Sequence, residues 1–209
     1  MMTQTKESQA ALSPDSAIAL LKDGNARFVS KRMADRDLIQ QVEQTATGQY
    51  PFATILSCID SRVSAELVFD QGVGDIFSAR VAGNIVNADL LGSMEFACKL
   101  AGTKVLVVLG HTACGAVKGA CDHARMGNLT TLIQKLELAV ESVPEPADLD
   151  QRNSKNIDFV NAVAKKNVEM TIDNIRQKSP VLKDMEDHQE IMVVGGMYDI
   201  ATGQVEFYS

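Results

Sequence analysis

The hydrophobic positions of the chain fall into two alternating patterns, short continuous runs and longer stretches with helical spacing. The continuous runs are rich in Val, Ile and Phe, and they predict strands at residues 52–57, 75–79, 104–109 and 191–194. Because these runs carry few polar positions, we expect their strands to be covered on both faces, as in a parallel sheet. Helical spacing is found at residues 64–69, 89–100, 115–126, 130–143 and 157–177. This alternation predicts an α/β fold, with a mainly parallel central sheet flanked by helices.

The two ends of the chain add further elements. Ser13 and Pro14 form a helix cap followed by apolar residues at helical spacing, which predicts an N-terminal helical arm at about residues 13–30. At the other end, two short apolar runs surround Thr202 and Gly203, and they predict a closing hairpin with an antiparallel C-terminal edge strand. The polar stretch 31–48 is assigned no element. With 209 residues, 45% of them hydrophobic, the chain is expected to form a single domain, residues 1–209.

Charge and composition exclude several kinds of partner. The net charge of −7 argues against nucleic acid, because binding a polyanion requires a basic surface. No apolar run approaches the roughly 18 residues needed to span a bilayer, and residues 1–12 are polar, unlike a secretory signal. We therefore expect no membrane partner and a cytoplasmic location, or a periplasmic one if an export signal was removed.

Two of the predicted strands end in reactive side chains. Cys58, Asp60 and Arg62 follow the first strand, and His111 and Cys114 follow the third. Because the carboxyl ends of parallel strands meet at one edge of a sheet, we expect the two groups to lie together. Two thiols and an imidazole are ligands that zinc prefers, and three ligands with an open position are typical of a catalytic zinc site. The sequence therefore predicts a zinc site at this edge.

Asp60 and Arg62 are separated by one residue, so they are predicted to form a charge-assisted pair. A zinc ion bound by two thiolates is a weaker Lewis acid than one bound by histidines, and a lone carboxylate beside it would raise the pKa of its water further. Arg62 offsets this effect by pairing with Asp60. The carboxylate can then accept a hydrogen bond from the water that the metal activates and orient it towards a substrate.

These motifs resemble those of the beta-class carbonic anhydrases, in their bacterial, plant-like branch with an open zinc site. The resemblance is carried by residues 58–63, by Arg80 with residues 82–84, and by residues 110–115, and it extends from about Leu20 to the C-terminal hairpin. It implies zinc-dependent reversible hydration of carbon dioxide to bicarbonate and a proton. It also implies a homodimer or tetramer with sites at the dimer interface.

By this resemblance, Cys58, His111 and Cys114 are the zinc ligands, and Asp60 and Arg62 are the catalytic dyad. The implied substrate-binding residues are Gln49, Phe77, Phe96 and Gly115. The Gln and Phe positions are expected to reach the site of a neighbouring subunit. Phe96 is a departure, because this position is often Tyr in the family.

Other interpretations stay open at this point. Asp60 can close the site as a fourth zinc ligand, but the branch that does so typically has Gly and Trp where this chain has Ser57 and Ile55, which favours the open form. A non-catalytic zinc protein, a thiol-redox enzyme and a carbon disulfide or carbonyl sulfide hydrolase are the alternatives. The redox alternative lacks a Cys-x-x-Cys pair. Cys98 and Cys121 are interpreted as buried structural residues, and the charged helix 157–177 as a solvated face with an apolar stripe.

Overall fold

The computed structural model describes residues 3–208, which form one five-stranded sheet flanked by helices. The strands are β1 (Ala53–Ser57), β2 (Ile76–Arg80), β3 (Val105–His111), β4 (Met192–Tyr198) and β5 (Val205–Tyr208). Their order in the sheet is β2-β1-β3-β4-β5. The first four strands are parallel, and β5 pairs antiparallel with β4. The predicted α/β fold and its antiparallel C-terminal edge strand are thus confirmed.

The central strands are buried on both faces, as their apolar runs predicted. Every residue of β1 and β3 is buried. Along β3, Val105 and Val107 pack in the cluster below the N-terminal helical arm, whereas Leu106 and Val108 pack in the cluster below the C-terminal helices. In the edge strand β2 only Ile76 is buried, and the other four residues are partly or fully exposed.

Helices cover both faces of the sheet. The helices are α1 (Lys6–Ala10), α2 (Pro14–Val29), α3 (Leu38–Thr45), α4 (Ala65–Val68), α5 (Ala88–Glu95), α6 (Gly115–Cys121), α7 (Leu129–Ser142), α8 (Ile157–Lys178) and α9 (Pro180–Asp187). A π-helical turn, Phe96–Leu100, extends α5, and a short 3-10 turn, Ala82–Asn84, follows β2. No helix within residues 3–208 is both long and apolar enough to cross a membrane.

The predicted helices are found, with some differences in extent. The helical arm at about 13–30 corresponds to α2, where Ser13 caps the helix and Pro14 occupies its first turn. The stretch 31–48, to which no element was assigned, contains α3, capped by Asp37. The short helices α1 and α9 were also missed. The helix predicted at 115–126 ends earlier, at Cys121. The extent of the domain, 1–209, stays a prediction.

Candidate metal centre

The sheet brings the two reactive groups of the sequence to one edge. Cys58 is the residue after β1, His111 is the last residue of β3, and Cys114 is the N-cap of α6. Since β1 and β3 are parallel neighbours with Ser57 opposite Leu109, their carboxyl ends lie side by side. The three side chains therefore meet although more than fifty residues separate Cys58 from the other two.

The three side chains form a compact, buried cluster whose ligand atoms all lie within 4.8 Å of one another. The sulfurs of Cys58 and Cys114 are 4.0 Å apart. Two sulfurs at about 2.3 Å from a tetrahedral zinc ion would be separated by about 3.8 Å. The Nδ1–H of His111 donates to the carbonyl oxygen of Thr112 (3.0 Å), and its buried Nε2 has no hydrogen-bond partner among the described residues. This donor set fits a zinc ion, with Nε2 as the histidine ligand atom.

The electrostatics of the two thiols differ. The hydrogen bond with the Cys114 thiol holds the pKa of Cys58 well below its ordinary range. The same contact, together with burial, raises the pKa of Cys114, although the backbone N–H groups of Ala116 and Val117 oppose that rise. Of the two thiols, Cys58 therefore loses its proton more readily than Cys114. A divalent cation between them would favour both thiolates, because an opposite charge stabilises the ionised form.

The segment that carries Cys58 is fixed by groups from the end of β2. The guanidinium of Arg80 donates to the carbonyl oxygens of Cys58 (3.0 Å) and Asp60 (2.7 Å). The Gly83 N–H, in a turn with a φ of 70°, donates to the Cys58 sulfur (3.4 Å). Arg80 and Gly83 belonged to the motif recognised in the sequence, but no role was predicted for either. Their contacts orient the first ligand and the backbone that leads to Asp60.

The predicted pair of Asp60 and Arg62 is formed beside this cluster. Asp60 Oδ1 accepts from Arg62 Nε (2.9 Å) and from the Arg62 N–H (3.0 Å), and Oδ2 accepts from Nη2 (2.7 Å). This bidentate contact holds the pKa of Asp60 well below its ordinary range. Asp60 Oδ2 also lies 3.9 Å from His111 Nε2. A carboxylate that is ionised near neutral pH therefore lies next to the cluster.

The four implied substrate-binding residues lie in different places. Gly115 is the first residue of α6, adjacent to Cys114. The rings of Phe77 and Phe96 are 6.4 Å apart and line a cavity of about 740 Å³ between β2 and α5, whose described lining residues include none of the three ligands. Gln49 is exposed and lines a separate surface pocket. Within one chain, the structure brings Gly115 to the metal cluster and leaves the other three apart from it.

The remaining cysteines are buried in the interior, as interpreted from the sequence. Cys98 lies beside Thr103, whose hydroxyl donates to its sulfur (3.3 Å), and burial raises its pKa. Burial likewise raises the pKa of Cys121 to about 11. Both thiols are therefore protonated near neutral pH. The fold and the cluster together define an α/β protein with a buried group of two thiols and an imidazole that could hold a metal ion.

Comparison with known proteins agrees with this class. The family model described as carbonic anhydrase matches residues 53–205. Carbonic anhydrase 2 of Mycobacterium tuberculosis is 33% identical over 192 residues, which are 91% of each chain, and a carbonic anhydrase of Mycolicibacterium smegmatis is 34% identical over 200 residues, 94% of each.

Solved structures agree as well. A tetrameric beta-carbonic anhydrase of Sordaria macrospora superposes with a TM-score of 0.74 at 25% identity, covering 93% of this chain and 98% of that one. A beta-carbonic anhydrase of Aspergillus fumigatus gives a TM-score of 0.71 at 27% identity, covering 93% and 90%. The chain belongs to the beta-class carbonic anhydrase family, and the predicted enzyme class is confirmed.

Proposed function

We propose that this chain catalyses the zinc-dependent, reversible hydration of carbon dioxide to bicarbonate and a proton. The observation that carries the proposal is the buried set of Cys58, His111 and Cys114 with the Asp60 carboxylate next to it, 3.9 Å from His111 Nε2. Three protein ligands leave a position for water, as in catalytic zinc sites. Zinc held by these residues would supply the Lewis acidity that makes water a nucleophile near neutral pH.

Asp60 is the group that orients the reacting water. Its pairing with Arg62 keeps it ionised, so it accepts a hydrogen bond and does not donate one. A fixed acceptor restricts the direction in which the water presents its lone pair to carbon dioxide. The three hydrogen bonds from Arg62 hold the carboxylate in place and leave one acceptor position of Oδ2 for the water, which supports an open site over one closed by Asp60. The Gly115 N–H, adjacent to Cys114, would bind the bicarbonate oxygens.

We propose further that the site is completed by a second copy of the chain, in a homodimer or tetramer. Gln49, Phe77 and Phe96 lie apart from the ligands within one chain, and Phe96 is 53% exposed. The α3 helix exposes Leu38, Ile39 and Val42, and β2 is an edge strand with an unpaired side. Apolar side chains and a free strand edge of this kind are features of a protein interface. Phe77 and Phe96 would then form the apolar wall of the partner's substrate pocket.

Stopped-flow measurement of carbon dioxide hydration against pH, with a zinc assay, tests the proposed function. The Asp60→Asn variant should keep zinc but lose about 100-fold or more in kcat/KM, because a positioned group of this kind contributes about 10²–10⁴-fold. Asp173→Asn, an exposed acid on α8, is the matched control and should retain wild-type activity. Unchanged activity in Asp60→Asn would refute the role of Asp60. A wild-type protein with one zinc and no hydration activity would instead indicate a non-catalytic zinc site.

A further inference from the structure

The α8 helix packs against β3 next to the metal cluster. Gly110, the residue before His111, has no side chain, and a Cβ built there would lie 2.6 Å from Val168 Cγ2 of α8. Helix and strand are therefore in close contact directly below the ligands. The helix follows the last ligand, Cys114, by more than forty residues in sequence. Two of its asparagines reach the segments that hold the ligands.

Asn161 holds the turn between His111 and Cys114. Its Oδ1 accepts from the Ala113 N–H at 2.8 Å. Ala113 has a φ of 53°, a left-handed conformation that costs a residue with a Cβ about 1–2 kcal/mol. This conformation turns the chain so that His111 and Cys114 point to the same place. A fixed acceptor for the Ala113 N–H favours the strained turn over relaxed alternatives.

Asn167 holds the other half of the site. Its Nδ2 donates to the carbonyl oxygen of Gly83 at 2.8 Å, and its side chain is buried. The N–H of the same Gly83 donates to the Cys58 sulfur. The amide of Asn167 therefore holds Gly83 through the peptide group on one side of its Cα, while the peptide group on the other side donates to the Cys58 sulfur. Through Asn161 and Asn167, one helix contacts the turn between His111 and Cys114 and the turn whose Gly83 N–H donates to Cys58.

We infer that Asn161 and Asn167 are positioning residues that set the metal affinity of the site from α8. The inference rests on the proposed metal site and not on the hydration reaction. Neither residue touches the ligand atoms, so each acts through one backbone group. Outer groups that orient metal ligands typically contribute about 10–100-fold in metal affinity when they are removed. The two asparagines act in opposite hydrogen-bonding senses, Asn161 as an acceptor and Asn167 as a donor.

The opposite hydrogen-bonding roles of Asn161 and Asn167 provide the test. Replacing Asn by Asp keeps the size and an acceptor oxygen but removes the NH₂ donor. Asn161→Asp should therefore retain the contact with Ala113, whereas Asn167→Asp should lose the contact with Gly83. Both changes add a negative charge near a cation, which on electrostatic grounds favours metal binding, so a loss in one of them reports the hydrogen bond. Asn174→Asp is the matched control, since its amide donates to Met170 one turn earlier on the same helix and to neither segment of the site.

The measurement is competition for zinc between the full-length, zinc-loaded protein and increasing concentrations of a chromogenic chelator. Asn161→Ala and Asn167→Asp should bind zinc about 10–100-fold more weakly, while Asn161→Asp and Asn174→Asp stay within about threefold of wild type. Cobalt-loaded samples should show an altered thiolate-to-cobalt charge-transfer band in the two weakened variants only. A role confined to packing would lower thermal stability and leave this band unchanged.

The outcomes separate this inference from the proposed function. A wild-type protein that binds zinc without hydrating carbon dioxide would overturn the function and leave the positioning test intact. Equal zinc affinity in Asn161→Asp and Asn161→Ala would overturn the acceptor role of Asn161, and wild-type affinity in Asn167→Asp would overturn the donor role of Asn167. If Asn167→Asp does not fold, Asn167→Ala removes the donor without burying a charge. If neither variant folds, Asn167 is needed for folding, and the positioning role proposed for it would be contradicted.

Discussion

Gly24 in the middle of α2 gives a stability prediction in which helix propensity and tertiary packing have opposite signs. Glycine in a helix interior is less favourable than alanine by about 1 kcal/mol, so propensity alone predicts that Gly24→Ala stabilises the protein. In the structure, a Cβ at this position would lie 1.8 Å from the Phe69 carbonyl oxygen and 2.8 Å from its carbonyl carbon. Both atoms belong to the backbone and cannot rotate away.

The structure also shows why α2 cannot move aside. The neighbouring Asn25 donates to the carbonyl oxygens of Val68 (3.0 Å) and Gly203 (2.8 Å) and accepts from the Val205 N–H (2.8 Å). A shift of the helix by the 1–2 Å that the clash requires would weaken these three contacts, each contributing about 1 kcal/mol. Overpacking of a core costs about 1–3 kcal/mol on its own. We therefore expect Gly24→Ala to lower the free energy of unfolding by about 3 kcal/mol.

Urea unfolding followed by circular dichroism, at one fixed protein concentration, measures this difference. With a slope of about 3 kcal/mol/M, the midpoint should fall by about 1 M. Ala26→Gly, an exposed position on the same helix, measures the propensity contribution in place and should cost about 1 kcal/mol. A Gly24→Ala variant as stable as the wild type, or more so, would refute the packing argument.

Three further predictions follow from other parts of the structure. Asp70 is fully buried between Arg27 and Arg36, so Asp70→Asn should lose about 3–5 kcal/mol at pH 7, measured by thermal unfolding. Burial raises the pKa of Asp70, but its contacts with Arg27, the Ala34 N–H and Arg36 together outweigh this and lower the pKa. The stability gained is therefore present above the unfolded pKa of about 3.9 and is lost as the pH falls below it. The difference between wild type and variant should shrink in acid, and a constant difference from pH 7 to pH 3 would contradict this assignment. Phe96→Ala should lower kcat/KM while zinc content and the secondary structure stay unchanged, and wild-type kinetics would argue against its place in a partner's pocket. Removal of zinc by a chelator should lower the melting temperature and abolish hydration, with both restored by added zinc; activity that survives complete zinc removal would exclude the proposed chemistry.

The sequence by itself determined which side chains form the cluster and which strands carry them. Cys58, His111 and Cys114 follow apolar runs whose lack of polar alternation already indicated buried parallel strands. The carboxyl ends of such strands share one edge, so a common site could be predicted without knowing the strand order. The pairing of Asp60 with Arg62 was equally local, since two residues separated by one position need little of the fold to meet. These predictions depend on short-range pattern and chemistry, which the sequence displays directly.

Short helices and surface segments were harder to predict from the sequence. The α3 helix was missed because it is eight residues long and places Leu38, Ile39 and Val42 on a face that no described element of the same chain covers. Apolar periodicity identifies a helix by the face that it buries, and so brief a stretch within a polar segment carries a weak signal. The extent of α6 was overestimated for a related reason, since the apolar pattern does not mark the residue at which a helix ends.

Only the tertiary structure decided how the site is supported. The helix 157–177 was interpreted as a solvated face with an apolar stripe, yet α8 lies against the ligand edge and carries Asn161 and Asn167 to Ala113 and Gly83. These contacts span 48 and 84 residues of sequence. An asparagine in a helix has the same local pattern whether it faces water or a strained turn, because its hydrogen-bond partner is set by the packing of distant elements. The same reason explains Gly24, whose neighbour Phe69 lies on another element of the chain.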